Sequence, residues 1–245
     1  MTTIEELLSL VEDIERAKAS LLEKSIQEPL EALRDACNEA ARAWSGSNIG
    51  YHATVYYHDL HPSPPSAPFS AEWGIEDNWP VHHTDPGWEM MDHREVVDMI
   101  IARAGGANPD DLDIEVAPIR ERFSVIKEHA VSILSAHNAT QPDDFLSKKR
   151  QEIESIKVSP PASIARGFLP QKGYTSRDSL AMHQGLRVAP HQLLIAVPRS
   201  SKSLEGAMGI LENAVRLSAA HMQRVERGKQ KMKTDGKTLF IGHGQ

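Results

Sequence analysis

Thr3-Ile4-Glu5-Glu6-Leu7-Leu8-Ser9-Leu10-Val11-Glu12-Asp13-Ile14 opens the chain with the pattern that decides its fold class. Ile4, Leu7, Leu8, Val11 and Ile14 recur at the three-and-four spacing that places them on one side of an α-helix. Thr3 and Glu6 have the form of a capping box at its start. Leu30, Leu33, Cys37, Ala40 and Trp44 resume the stripe, so 3–44 reads as a long helix or a helix pair. Pro29 lacks the N–H that a helix interior uses and is expected to kink or break it near Gln27 and Glu28. Such a stretch serves as a packed amphipathic helix or as an oligomerising helix pair; its heptads are not sustained enough for a coiled coil.

The helical period returns further on. Residues 92–104 form a short helix capped by Asp92 and stopped at Gly105-Gly106. Residues 115–137 form another, with Pro118 in the first turn, and 143–157 a third, with Asp143 and Asp144 at its positive end. Pro160-Pro161 is a break, and 161–202 reads as irregular apart from a short helix near 162–168 and an apolar run from Leu193 to Val197. A last helix over 203–227 carries Leu204, Met208, Leu211, Val215, Ala219 and Met222.

One segment breaks the pattern. Residues 49–58 (Ile-Gly-Tyr-His-Ala-Thr-Val-Tyr-Tyr-His) are the best strand candidate, with 69–74 as a returning strand after the prolines of 62–68 and 75–91 as loop. All four tryptophans and three of the four tyrosines lie between 44 and 88, which points to a compact aromatic mini-core. The expected fold is therefore mainly α: a helical, bundle-like region with a small aromatic-rich β element at about 49–74.

Composition narrows the partners. The 245 residues carry a net charge of −7, which argues against general duplex DNA binding. No apolar run reaches membrane-spanning length, and the single cysteine, Cys37, cannot form an internal disulfide. The reading is a cytoplasmic protein without membrane association. Charge is uneven, however: 1–40 hold ten acids against four bases, whereas 158–202 hold six bases against one acid, Asp178.

Two stretches contain groups suited to chemistry. His58, Asp59, His61, His82 and His83 supply nitrogen and oxygen ligands of the kind that a zinc, iron or manganese site uses, although their spacing matches no standard motif. If they converge, a metal-dependent hydrolase is one reading of the chain; solvated loop histidines are the other. In the basic segment, Lys172, Arg177, Ser179, His183 and Arg187 combine hydroxyl, imidazole and cationic groups that bind phosphates or nucleotides. Alternatively, Arg177 and Asp178 pair with the acidic helices. No nucleophile elbow and no P-loop is present, and Cys37 falls on the apolar stripe of the first helix.

The end of the chain, Lys237-Thr238-Leu239-Phe240-Ile241-Gly242-His243-Gly244-Gln245, has the form of a buried first strand entering a glycine turn. It resembles the first strand and following loop of bacterial TIR-like domains, annotated in that family as predicted nucleotide-binding proteins that act as antiviral effectors. The resemblance implies that Gly242, His243 and Gly244 belong to a loop beside the nucleotide, that 228–236 is a basic linker, and that 1–227 is a helical sensing and assembly region. The rest of a TIR domain, including its catalytic glutamate, is not in this sequence. The expectation that follows is a non-catalytic chain without a cofactor, NAD being needed only by the missing domain. Homo-oligomerisation and a small anionic or nucleotide signal, or a protein partner, are implied; a purely structural oligomerisation scaffold is the plainer alternative.

Overall fold

A computed structural model of the protein describes residues 2–70, 85–172 and 174–235, with side chains to residue 231. The expected mainly α fold is present: α1 (Thr3–Leu21), α2 (Lys24–Ala43), α3 (His93–Arg103), α4 (Pro109–Thr140), α5 (Asp144–Ser155), α6 (Pro161–Arg166), α7 (Ser179–Gln184), α8 (Pro190–Leu194) and α9 (Ala196–Asp235), with two short strands, β1 (Val55–Tyr57) and β2 (Trp88–Met90). The chain divides into two compact units. Among the described residues the first comprises 2–20, 119–157 and 205–235, and the second 21–70, 85–118, 158–172 and 174–204.

The first unit is built from amphipathic helices. Leu7, Val11 and Ile14 of α1, Phe123, Ile126, Ala130 and Leu134 of α4, Ile153 of α5, and Met208, Leu211 and Val215 of α9 are all buried. Their shared helical spacing removes one face of each helix from water, which supplies the main stabilisation. Charges stay on the rim: Arg122 meets Asp13 at 3.0 Å, and Arg216 bridges to Glu15 and Glu212. These exposed pairs orient helices more than they stabilise them.

In the second unit α2, α3 and α8 pack on one another, and the two-stranded element lies beside them. The strands are antiparallel with Val55 opposite Met90, Tyr56 opposite Glu89 and Tyr57 opposite Trp88. Leu33, Cys37 and Ala40 of α2, Val55, Tyr56, Leu60, Val96 and Ile100 are fully or almost fully buried. The aromatic mini-core is real for the described members: Tyr57 meets Trp88 edge-on at 5.5 Å, and Phe69 contacts Trp88 at 5.3 Å.

Several boundaries differ from the sequence expectation. The capping box is formed one residue earlier: Thr2 N–H donates to Glu5 Oε2 at 2.7 Å and Glu5 N–H to Thr2 Oγ1 at 3.2 Å. The break in the first helical stretch falls at Leu22-Glu23, whereas Pro29 lies within α2. The one helical bond it removes is that to the carbonyl of Ser25, a solvent-exposed residue, so the loss is small. Pro118 likewise sits inside α4, which begins at Pro109 behind an Asn108 cap (Asp110 N–H to Asn108 Oδ1, 2.9 Å).

The expected strand 49–58 is a 3₁₀ turn, Gly50–Thr54, followed by only three strand residues. Its partner is Trp88–Met90, in a stretch expected to be loop; Phe69 and Ser70 are not in a strand, and 71–74 lie outside the described residues. The segment 161–202 is more ordered than its sequence suggests, since α6, α7, α8 and the start of α9 fall within it. Residues 228–235, expected to be a flexible linker, continue α9. The cap at Asp92 is as expected, with Arg94 N–H donating to it at 2.8 Å; Asp143, expected only at the positive end of its helix, also caps it and takes the Leu146 N–H at 3.0 Å.

Candidate functional site

The basic segment acquires its shape from what its one acid does. Asp178 caps α7, its Oδ1 accepting from the Leu180 and Ala181 amides at 2.8 and 3.0 Å. Its Oδ2 accepts the hydroxyl proton of Tyr51, and His52 Nε2 lies 3.8 Å from the same oxygen. Burial raises the Asp178 pKa, but the Tyr51 hydroxyl, the two amides and His52 together outweigh it and hold the carboxyl below its ordinary value. Asp178 is therefore an anion turned inward, spent on Tyr51 and on its own helix.

His52 is fully buried, stacked on Tyr51 with centroids 4.3 Å apart. Neither ring nitrogen has a hydrogen-bond partner among the described residues. Burial lowers its pKa, with Asp178 opposing the shift, so it is neutral at physiological pH.

The far end of the same strap is fastened in the same manner. Gly50 N–H donates to Gly185 O at 2.6 Å and Arg187 N–H to Asn48 O at 2.8 Å. The Asn48 side chain donates to Arg187 O and to Gln192 Oε1 at 2.9 and 2.8 Å. Tyr56 and His191 share a buried hydrogen bond of 2.8 Å at Nδ1. Gly50 has φ of +51°, and a Cβ there would stand 2.6 Å from the Ala181 Cα, so only glycine admits α7 this closely.

Against this framework the expected ligand residues divide clearly. Lys172, Arg177, Ser179, His183 and Arg187 are all exposed. Ser179 and His183 are one turn apart on α7, where the His183 ring bonds the Ser179 carbonyl at 2.6 Å. Arg187 is fixed by its backbone while its side chain faces solvent. Of the residues that hold this face in place, Asn48, Tyr51, His52, Tyr56, His191 and Gln192 were not singled out from sequence, and Asp178 was read as the segment's one acid. Only Asp178, a capping type directly before helix α7, carried a local signal.

The histidine-rich stretch behaves differently. His58 and Asp59 lie on a short 3₁₀ turn, His58–Leu60, and the His58 and His61 rings are 6.3 Å apart. Asp59 and Leu60 both have positive φ, a conformation that costs about 1 kcal/mol or more for a leucine. Burial of Leu60 and donation from Arg103 to both carbonyls offset it. Among the described residues no group of three or more His, Cys, Asp or Glu is placed to hold a metal ion. His82 and His83, like Gly242, His243 and Gly244, lie outside the described residues. No described helix is long and apolar enough to cross a membrane.

No family model, curated protein or solved structure matches the chain.

Proposed function

We propose that the chain is a non-catalytic sensing and assembly module of a TIR-like effector, and that it recognises an anionic small molecule, nucleotide-like in its phosphates, on the exposed face of residues 172–187. The observation that carries the ligand reading is the inward turn of Asp178. It withdraws the segment's one acid from the surface while Lys172, His183 and Arg187 remain exposed. A segment with exposed Lys172 and Arg187 whose one carboxylate is turned inward favours a phosphate or carboxylate ligand. The resemblance of 237–245 to a first TIR strand supports the placement upstream of such a domain. Fastening the strap to the aromatic element by polar bonds supports a signalling role, because a ligand that prefers one arrangement of the strap shifts its population.

Isothermal titration with ATP, ADP-ribose and pyrophosphate tests the ligand reading, with native mass spectrometry of the same samples for assembly. Binding of at least one of these, weakened about tenfold or more by Lys172→Ala with Arg187→Ala, is the expected result. Unchanged binding in that double variant, or no binding of any of the three, overturns the assignment.

A further inference from the structure

The first unit contains a cleft of about 260 Å³ formed by the end of α4, the start of α5 and residues 221–229 of α9. It shares no residue with the basic strap. The volume is at the lower limit for small-molecule sites and suits a ligand well below drug size.

Its walls are held by bonds within the protein. His221 Nε2 and Asp143 Oδ2 are 2.8 Å apart, and Asp143 Oδ1 takes the Leu146 amide. The hydrogen bond from His221, with the amides of Leu146 and Phe145 behind it, keeps the Asp143 carboxyl below its ordinary pKa despite partial burial. The Phe145 ring stacks on His221 at 4.5 Å and fixes its plane. Lys229 donates to Gln141 Oε1 at 2.9 Å, which uses one of its three protons.

What remains for a ligand is specific. Glu226 makes no hydrogen bond or ion pair among the described residues, and Lys229 retains two protons. The two are three residues apart on one face of α9, so their side chains reach the same volume. Leu146, Met222 and Val225 supply apolar lining to the same cleft. An unpaired carboxylate and a partly used ammonium beside an apolar wall complement a small molecule with an amine, a carboxylate and a hydrocarbon body.

We infer that this cleft binds a free α-amino acid with an apolar side chain, its ammonium on Glu226, its carboxylate on Lys229 and its side chain against Met222 and Val225. Asp143 and His221 act as positioning residues that keep the cleft open and orient α9.

Calorimetric titration of the full chain with L-leucine, 4-methylpentanoate (no amine) and 3-methylbutylamine (no carboxylate) tests this. L-leucine is expected to bind, and each analogue to bind about tenfold or more weakly, because each leaves one charged group unpaired. Glu226→Gln is expected to weaken L-leucine by a similar factor while leaving 4-methylpentanoate unaffected, and Lys229→Gln to spare only the amine. Both residues are exposed, and an unchanged melting temperature confirms that each variant folds. Absence of L-leucine binding at millimolar concentration, an analogue that binds as tightly as leucine, or leucine binding unchanged in both variants overturns the inference.

Discussion

His191 offers the sharpest test of the second unit's interior. Its side chain is 4% exposed, its Nδ1 lies 2.8 Å from the Tyr56 hydroxyl, and the Trp44 ring meets it edge-on at 5.0 Å. Burial alone lowers its pKa from 6.5 to about 4. In the unfolded chain the ring takes a proton near its ordinary value, so between those limits the unfolded state binds more protons. The contribution is complete above pH 6.5 and is lost as pH falls through about 4. At about 1.4 kcal/mol per pKa unit it amounts to roughly 3 kcal/mol. His52, also lowered by burial, acts with the same sign. The lowered carboxyls of Asp143 and Asp178 act only below the ordinary value of 3.8, outside this window. Urea denaturation followed by tryptophan fluorescence, at steps from about pH 7.5 to about pH 4, measures the effect in the wild type and in His191→Gln. Glutamine retains a polar partner for Tyr56 and does not titrate. The wild type is expected to lose about 3 kcal/mol more than the variant across the series. Parallel curves for the two proteins would refute a buried neutral histidine.

Two further perturbations probe the same interior. Gly50→Ala places a methyl group 2.6 Å from the Ala181 Cα at a residue with φ of +51°; a destabilisation of about 2 kcal/mol or more, seen as a melting temperature lower by roughly 5 °C, is expected. An unchanged melting temperature would mean that α7 does not approach this turn so closely. Cys37 is fully buried, and desolvation pushes its thiol up to about 12. It should therefore resist a thiol-specific chromogenic reagent at mildly alkaline pH in the native protein and react once the chain is unfolded in urea; a fast native reaction would contradict its burial.

Residues 2–43, 92–106 and 143–155 show how much of the fold a single sequence contains. Ile4, Leu7, Val11 and Ile14 each bury one helical face, Asp92 and Asp143 cap the helices they precede, and Gly105, with φ of +69°, closes α3. Period and capping are properties of neighbours within one turn, so they are written locally. Helix starts at Pro109 and Ala196 were less legible, since Pro118 and the apolar run before Leu204 suggest breaks that packing overrides.

The candidate ligand face was legible only in composition. The excess of bases over 158–202 marked a region, but the direction in which its one acid, Asp178, points was set by the fold. That direction depends on Tyr51, 127 residues away, just as the state of His191 depends on Tyr56, 135 residues away. The 49–58 stretch has strand chemistry throughout, yet Gly50 turns it because α7 must come within contact there. The sequence by itself determined the long amphipathic helices, through side chains that repeat along one face, but not α7 or α8. Tertiary structure decided the buried polar pairs, because a hydrogen bond in a water-free interior forms only where two distant segments are brought to the same place.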